Sequence, residues 1–585
     1  MKTKEQYFVQ KAFRRFFVPA FLSSVGLALG GLADCYFVGS NLGEQGLACV
    51  SFGASIYMLG SLVSIGMSLG GAIHYSNYLS RGEAAEGTNL FYNVLFINFC
   101  VQSMFTITGL LWIDGLLAAL GVTREAAAYE MIRQFVTRQL MFLPVMFSQA
   151  PFYYFVHCDN NPRLAATALV TGNLADILCN YILVGMLKIG ASGSVYATVV
   201  GALFSISICL VHFLKKKGNL RFCKFKIHIK YITQSIKTGF ATSTQYLYQF
   251  VTLILTNNLL MRHYGIIAVA AFDIIYNISL LIGAVMESME LTMEPMLSTF
   301  AGEKNAANIK YTFKTAIFIS MGLSAGLMLC FIAGAESFCE FFGLRSEIGL
   351  QYGITGIRIY GLCLIPYVVN CIFSYYCQAL GRERIAYILG FSRLFAMYML
   401  FLFLFIDRGF VIFFYTYAAS EFATLFILIG IIIKNKDLLS LKDITGAKTF
   451  SVFIEPGTSD IGKILQEAEY FYQDKGASSA QIYYMALVIE EICAVIAGAT
   501  MGTKKEEYIQ ITITEENGDF TLFLRDNAVQ FNPFEKNTDA LNIQDAAQGE
   551  YAINPEMLSM KIVRNKAKDF FYRRYAGFNT LVIKI

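Results

Sequence analysis

Carboxylate side chains interrupt several stretches of this sequence that are otherwise apolar. Asp34 lies in LGGLADCYFVGS, and Asp176 lies in TALVTGNLADILCNYILVGM, where Asn180 follows four residues later. A charge at the centre of a membrane-spanning helix costs about 2.5–3.5 kcal/mol on insertion scales, so such residues usually mark ion or substrate pathways. Carboxylate and amide oxygens suit a hard monovalent cation, and two carboxyls in low dielectric can instead hold a proton. These residues therefore predict a site for Na⁺ or H⁺.

The spacing of Asp176 and Asn180 places both side chains on one face of a helix, one turn apart. They can therefore contribute to a single site. A buried acid can also serve only as a hydrogen-bonding anchor between helices. The sequence leaves that alternative open for both Asp34 and Asp176.

A second acidic group consists of Glu287, Glu290 and Glu294. Their i, i+3, i+7 spacing predicts one wet helix face, which either lines a substrate cavity or is solvated near the cytoplasmic end. Glu421, in a further apolar run, is interpreted as structural. Some of the 34 tyrosines should line a cavity for aromatic cations through cation-π contacts.

The composition identifies a membrane protein. The chain has 585 residues, of which 56% are hydrophobic and 15% charged, and its mean hydropathy is +0.52. The net charge of +4 and the lack of basic, aromatic-rich patches exclude nucleic acid as a partner. The 13 cysteines form no CxxC pair and the five histidines no HExxH motif, so neither a disulfide framework nor a transition-metal site is expected.

Apolar runs of about 20 residues predict twelve membrane spans. They are 15–38, 47–72, 91–119, 133–156, 164–186, 192–214, 236–261, 268–294, 313–335, 352–377, 386–407 and 410–433. An even number of spans puts both termini on one side, and the loops rich in Lys and Arg, such as KKKGNLRFCKFKIHIK, lie on that side too. Both termini are therefore expected in the cytoplasm of a cell whose cytoplasmic (inner) membrane holds this multi-pass chain.

The apolar part repeats itself weakly at an offset of roughly 220 residues. LSRGEAAEGTNLFYNVLFI aligns with STFAGEKNAANIKYTFKTAIFI, and PFYYFVHCDNNPRLA with CIFSYYCQALGRERIA. This order predicts two six-helix lobes, residues 1–220 and 221–440. Two such lobes are typical of a carrier with a substrate cavity between them.

The composition changes after residue 440, and residues 441–585 are predicted to form a cytoplasmic domain of α/β sandwich type. Period-two alternation on both sides of ENGD predicts a β-hairpin. ASSAQIYYMALVIEEICAVIAGA and MLSMKIVRNKA are predicted to be helices.

The segment DCYFVGSNLGEQGLACVSFGASI resembles the first-helix pattern of multidrug and toxic compound extrusion (MATE) transporters. CDNNPRLAATALVTGNLADILCNYILVGMLKIGASGSVYATVVG, GLCLIPYVVNCIFSYYCQALGRERIAYILGFSR and YAASEFATLF are similar to later parts of that family. The resemblance implies a mainly α fold of twelve helices in two lobes, which exports organic substrates in exchange for Na⁺ or H⁺. It also implies that Asp34 and Thr198 join Asp176 and Asn180 in one site. The family has Asn first and Asp second at the last two positions, whereas this chain has the reverse order.

The tail resembles the ATPase domain of histidine kinases and anti-sigma-factor kinases, through MALVIEEICAVIAG, LRDNAVQFNPFE and the closing segment from MLSMKIVRNKA onward. Among the family's nucleotide-binding positions, this chain retains Glu490, Glu491 and Asp526. The chain departs from the family pattern at other nucleotide-binding positions. Val495 stands where the family has its magnesium-binding Asn, and Ala528, Met557 and Ser559 stand at or around the family's glycine positions. Binding of ATP and magnesium is therefore not expected, and the tail is predicted to regulate the protein or to dock a cytoplasmic partner.

The function that follows is antiport, coupled to Na⁺ or H⁺, that exports small organic substrates or drugs, cationic or not, across the lipid bilayer, without enzymatic catalysis and without a cofactor besides the coupling ion. The sequence leaves two alternative functions open. One is a membrane-tethered signalling protein whose tail is a nucleotide-binding serine kinase or sensor. The other is a flippase for lipid-linked precursors from the same superfamily.

Overall fold

The fold is mainly helical, as predicted, and a small β-sheet lies near the C-terminus. The computed structural model describes residues 4–80, 84–122, 124, 128–159, 161–215, 218–222, 226–435, 437–441, 448–454, 461–500, 509–516, 518–526, 567–575 and 578–584. The long helices are α1 (Lys4–Ser80), α2 (Ala84–Leu111), α4 (Tyr129–Cys158), α5 (Pro162–Asn180), α6 (Ser192–Lys215), α7 (Ile229–Tyr264), α8 (Ile266–Gly302), α9 (Ala306–Phe341) and α14 (Phe410–Lys434). The shorter ones are α3 (Ile113–Ala119), α10 (Glu347–Leu362), α11 (Leu364–Ala379), α12 (Glu383–Phe391) and α13 (Met397–Phe405).

Eight helices in the described part of the chain are long and apolar enough to cross a membrane, and nine if α10 and α11, bent by 47°, form one broken span. The prediction of twelve spans counts α1 twice and includes α4 and α7, which do not meet this criterion. Helix α1 does contain two arms, because Gly43 interrupts it with φ +62°. The number twelve therefore stays a prediction, whereas the multi-pass helical architecture is confirmed.

The kink of α1 lies against the connection between α9 and α10, a region that we call the end contact. The rings of Tyr36 and Phe341 stack with centroids 4.3 Å apart, and Arg345 donates a hydrogen bond to the Ser40 carbonyl at 2.7 Å. A Cβ atom on Gly39 would lie 1.9 Å from the Phe342 carbonyl oxygen. The backbones of the first and second halves of the chain thus touch here, and only glycine allows it.

Asp159, between α4 and α5, anchors the segment that follows α6. Its buried carboxylate accepts hydrogen bonds from the backbone N–H groups of Asn219 at 2.8 Å and Leu220 at 2.9 Å, and lies 2.8 Å from His212 Nε2. Burial raises the pKa of this carboxyl, but the backbone and His212 hydrogen bonds together outweigh burial and hold the pKa below its ordinary value. The ionised form is therefore the one that stabilises the fold.

Asp159→Asn is expected to lower the free energy of unfolding by about 1.5–3 kcal/mol, the range for a hydrogen-bonded charge. A lowered folded-state pKa gives a contribution that is present above the unfolded-state value near 3.9 and is lost as the pH falls through the folded-state pKa. In thermal unfolding of the detergent-solubilised protein, the variant should unfold at a lower temperature than wild type at pH 7. The difference in unfolding temperature should be smaller in acid. Asp407→Asn, at an exposed carboxylate, is the control. Equal unfolding temperatures at pH 7 would contradict the anchoring role.

The sheet near the C-terminus contains five antiparallel strands in the order β1-β2-β3-β5-β4. The strands are β1 (Lys448–Ile454), β2 (Ile509–Glu516), β3 (Asp519–Asp526), β4 (Asp569–Tyr575) and β5 (Phe578–Lys584), and the helices of this region are α15 (Asp437–Ser440), α16 (Ile461–Asp474) and α17 (Ser479–Thr500). Apolar residues of α16, α17 and the strands share one core. The predicted hairpin and the helix at α17 are confirmed, whereas the helix predicted at MLSMKIVRNKA lies outside the described residues, apart from its final Ala567.

The chain folds into two compact units. One comprises residues 1–18, 291–316 and 432–585, and the other comprises residues 19–290 and 317–431. The second unit contains helices from both predicted lobes. The first unit combines the tail with the end of α8 and the start of α9. The proposed boundaries 1–220, 221–440 and 441–585 stay predictions.

Candidate cation site formed by α1, α5 and α6

The candidate site lies where α5 changes its helical form. Pro162, at the first turn of α5, is a position that proline tolerates because the missing N–H would have no helical partner. Asn180 ends the α-helix, and a π-helical turn, Tyr181–Met186, follows directly. Such wide turns occur frequently at functional sites because they displace side chains from the regular helical pattern.

Asn180 joins the two carboxylates of the site. Its amide nitrogen donates to Asp34 Oδ1 at 2.7 Å, and lies 3.2 Å from the Asp176 carbonyl oxygen and 3.4 Å from Asp176 Oδ1. Asp176 is 7% exposed and Asn180 is fully buried, while Asp34 is half-buried. The structure thus brings Asp34, Asp176 and Asn180 into one cluster inside the helical unit.

Helix α6 contributes two hydroxyl groups to the cluster. Ser194 donates to Asp34 Oδ1 at 2.8 Å. Thr198, one turn later, donates to the Ser194 carbonyl at 3.1 Å and lies within hydrogen-bonding reach of the Asp176 carboxyl. The helices approach closely because Gly172 and Gly201 face each other: a Cβ on Gly201 would lie 2.7 Å from the Gly172 carbonyl oxygen and 3.0 Å from Asp176 Cβ.

The chemistry of the cluster fits a small cation. In the part of the chain that the structure describes, no lysine, arginine or histidine pairs with Asp34 or Asp176. The Oδ1 atom of Asn180 is buried and makes no hydrogen bond to a described residue. Two adjacent carboxylates without a counterion are costly in low dielectric, so binding of a proton or a metal cation lowers the electrostatic cost of burying the cluster.

Glu287 lies apart from this cluster, among aromatic side chains. It is exposed, is hydrogen-bonded to Ser24, and interacts electrostatically with Tyr153, Tyr154 and Tyr246. These tyrosines come from α4 and α7 and the glutamate from α8, so both halves of the chain contribute. A carboxylate with tyrosines within electrostatic range can attract a bulky organic cation, which tyrosine rings can also bind through cation-π contacts.

The other glutamates differ in environment. Glu290 is half-buried and Glu294 is exposed, and Glu294 lies in the compact unit that contains the tail. Glu421 is buried, accepts a hydrogen bond from Asn370 at 2.9 Å and lies 3.9 Å from Arg393. The charge of Glu421 is therefore balanced by a neighbouring guanidinium.

In the tail, Glu490 is exposed, Glu491 is half-buried, and Asp526 is buried at the end of β3. Asp526 accepts a hydrogen bond from Asn579 Nδ2 at 2.7 Å, so one oxygen of the predicted adenine-reading carboxylate is already bound by the sheet. The side chain of Val495 and residues 528, 557 and 559 lie outside the described parts of the chain. The prediction about ATP therefore stays a prediction.

Sequence reasoning missed three polar residues near the site. Ser194 was overlooked although it precedes Thr198 by one helical turn. Asp273 and Asn277, on α8, repeat the Asp-x-x-x-Asn spacing of Asp176 and Asn180. A search for that spacing in apolar runs would have found the second pair.

Comparisons with known proteins agree on one family. The MatE family model matches residues 19–182 and 238–404, which together exceed half of the chain. A relative named probable multidrug resistance protein YoeA, from Bacillus subtilis (strain 168), is 21% identical over 361 residues, which cover 58% of this chain and 74% of the relative.

Two solved structures show the same fold. An inward-facing multidrug resistance MATE transporter of the MOP superfamily is 18% identical, with a TM-score of 0.66 over 71% of this chain and 96% of that one. An outward-facing structure of such a transporter is 19% identical, with a TM-score of 0.58 over 76% of this chain and 100% of that one.

Proposed function

The chain belongs to the MATE family of multidrug transporters, which are secondary transporters and not enzymes, and from this premise we propose that it exports bulky organic cations in exchange for protons. The observation that carries the proposal is the hydrogen-bonded cluster of Asp34, Asp176 and Asn180. Two carboxylates without a counterion can bind a cation in one state of the protein and release it in another. A difference of affinity between two states is what couples ion flow to transport.

The arrangement of Asn180 favours a proton over sodium as the coupling ion. The Asn180 amide N–H groups already point at Asp34 and Asp176, whereas a sodium ion between the carboxylates would need oxygen ligands there. In the family the Asn comes first and the Asp second, whereas here Asp176 precedes Asn180. The reversed order moves the negative charge by one helical turn, about 5 Å along the helix. Asp34, Asp176, Thr198 and the free oxygen of Asn180 are the groups that would hold sodium if it bound.

Glu287 and its tyrosines are the proposed substrate site. Both halves of the chain contribute to it, which agrees with a cavity between two six-helix lobes. Under the predicted orientation, with twelve spans in the cytoplasmic membrane and both termini in the cytoplasm, the end contact closes the outer side. Proton binding at Asp34 and Asp176 would then alternate with opening of that side and release of the substrate.

Accumulation of organic dyes in cells tests this function. Cells expressing the chain should accumulate less ethidium and less rhodamine 6G than cells with an empty vector, and collapsing the proton gradient with an uncoupler should remove the difference. Glu287→Gln should weaken export of these cationic dyes. Equal accumulation in expressing and control cells would overturn the proposal, and so would export that persists after the uncoupler.

The tail is proposed to regulate transport by docking on the helical part of its own compact unit. Arg525 of β3 forms a buried ion pair with Glu303, which directly follows α8. Gln510 accepts a hydrogen bond from the same guanidinium at 3.1 Å, and the guanidinium carbon lies 5.5 Å from the centre of the Phe300 ring. A sheet attached to the turn between α8 and α9 can restrain the movement of both helices.

Glu303→Gln is expected to release the tail. Removing one partner of a buried ion pair leaves the other charge uncompensated, at a cost of about 3–5 kcal/mol. Limited trypsin digestion of the full chain should therefore separate the tail much faster than in wild type. The control is Glu383→Gln, at an exposed acid in the first turn of α12. Unchanged digestion rates would contradict docking through Glu303.

A further inference from the structure

Helix α8 carries a second copy of the element that forms the candidate cation site. Asn277 donates to the Asp273 carbonyl at 2.9 Å and to Asp273 Oδ2 at 3.1 Å. Asn180 is arranged in the same way against Asp176 on α5, at 3.2 and 3.4 Å. An asparagine one turn after an aspartate thus orients the carboxyl in both helices.

The Asp273 carboxyl lies where the two arms of α1 meet α7 and α8. Cys35, in the first arm of α1, donates its thiol hydrogen to Asp273 Oδ2 at 3.5 Å, and the hydroxyl of Ser51, in the second arm of α1, lies near the same carboxyl. Ser51 also donates to Asn257 of α7 at 3.1 Å. Helix α1 belongs to the first half of the chain and α7 and α8 to the second, so this polar cluster joins the two halves.

The charge of Asp273 has no counterion among the described residues. Its side chain is fully buried, its Oδ1 atom makes no hydrogen bond to a described residue, and no lysine, arginine or histidine pairs with it. The titratable groups that interact with it are Cys35, Cys49 and Tyr276, which are neutral near pH 7 at their ordinary values. Glu421, the comparable buried acid, has Arg393 beside it.

Burial of an ionised carboxylate without a counterion is far more costly than burial of the neutral acid. We therefore propose that Asp273 is a second proton-binding site, and that its proton keeps the two arms of α1 closed against α7 and α8. This inference rests on the proposed proton-coupled function and adds a second titrating group to it. Because Cys35 adjoins Asp34 on α1, movement of this one helix changes the surroundings of both acids.

Proton loss and opening are linked in this arrangement. When the two arms of α1 separate from α7 and α8, water reaches Asp273 and its ionised form becomes favourable. The closed state then binds one more proton than the open state. At pH values between the pKa values of Asp273 in the two states, the equilibrium constant for opening should rise about tenfold per pH unit.

Hydrogen exchange of the purified full chain in lipid nanodiscs tests this directly, with no substrate or gradient. The pH is varied from about 5 to about 9, a range that reaches the pKa values documented for carboxyls buried in proteins, and rates are corrected for intrinsic exchange. In wild type, peptides around Asn257 and Asp273 should lose protection by about tenfold per pH unit over part of this range. Asp273→Asn, which keeps the shape without the charge, should stay protected throughout.

Asp407→Asn, at an exposed carboxylate outside both proposed proton sites, is the control and should retain the wild-type pH dependence in the same peptides. The inference is overturned if wild type shows no pH dependence there, or if Asp273→Asn loses protection as wild type does. Restoration of protection at high pH by sodium chloride, but not by choline chloride, would also overturn it by identifying sodium as the ligand. Because the assay involves no transport, its failure and a failure of dye export are separate results.

Discussion

Asp34→Asn is expected to abolish gradient-driven export and to leave the protein folded. The Asp34 Oδ1 atom accepts hydrogen bonds from Asn180 and Ser194, and an asparagine carbonyl oxygen can accept the same two bonds. The variant cannot gain or lose a proton at this position. A ligand with equal affinity for two states shifts neither, so export should fall to the background of vesicles without protein.

The control for Asp34→Asn is Asp114→Asn, at an exposed carboxylate in the first turn of α3 that pairs with Arg124. Uptake of ethidium into everted membrane vesicles, which corresponds to export from the cell, measures the activity, and gel filtration with thermal unfolding shows whether each variant is folded. Asp114→Asn should export as wild type does. If folded Asp34→Asn retains export driven by a proton gradient, the cluster is not the coupling site.

Gly39→Ala is expected to block transport by preventing closure at the end contact. The added methyl group would lie 1.9 Å from the Phe342 carbonyl oxygen and 2.7 Å from a methyl of Leu47. The first of these atoms belongs to backbone, so it cannot move aside as a flexible side chain would. Overpacking of this kind costs about 1–3 kcal/mol or more, and 3 kcal/mol lowers the population of the closed state by about 100-fold.

The matched control lies on the same helix. A Cβ atom on Gly26 would have no neighbour within 4 Å, so Gly26→Ala should transport normally. Dye accumulation in cells measures both variants, and hydrogen exchange of α1 and α9 peptides should show lost protection at the end contact only in Gly39→Ala. Normal export by Gly39→Ala would mean that this contact is not part of the transport cycle.

Much of the candidate site could be predicted from local spacing. Asp176 and Asn180 share a helix face because they are four residues apart, and this relation holds in any helix. The position of Asp34 beside them depends on packing between helices and came only from the resemblance to a family. Ser194 was missed because a serine in a membrane helix is common and carries no charge to attract notice.

Long-range relations account for the remaining differences. Asp273 is separated by 238 residues from Cys35, its partner on α1, and no local pattern indicates which helices meet. The number of spans depends on the hydropathy criterion because α4 and α7 carry many polar residues. One of them is Gln139, which donates a hydrogen bond to the Gly53 carbonyl at 3.0 Å. Polar groups that are satisfied inside a helical bundle lower the hydropathy of a segment without excluding it from the membrane.

The most direct measurement of coupling uses purified protein in liposomes, with pH and sodium gradients imposed separately and ethidium and rhodamine 6G as probes. Wild type should move dye against its gradient when the pH gradient is present, and Asp34→Asn should move none under either gradient. Dye movement by wild type that is independent of the pH gradient would contradict the account, as would equal, pH-driven movement by Asp34→Asn.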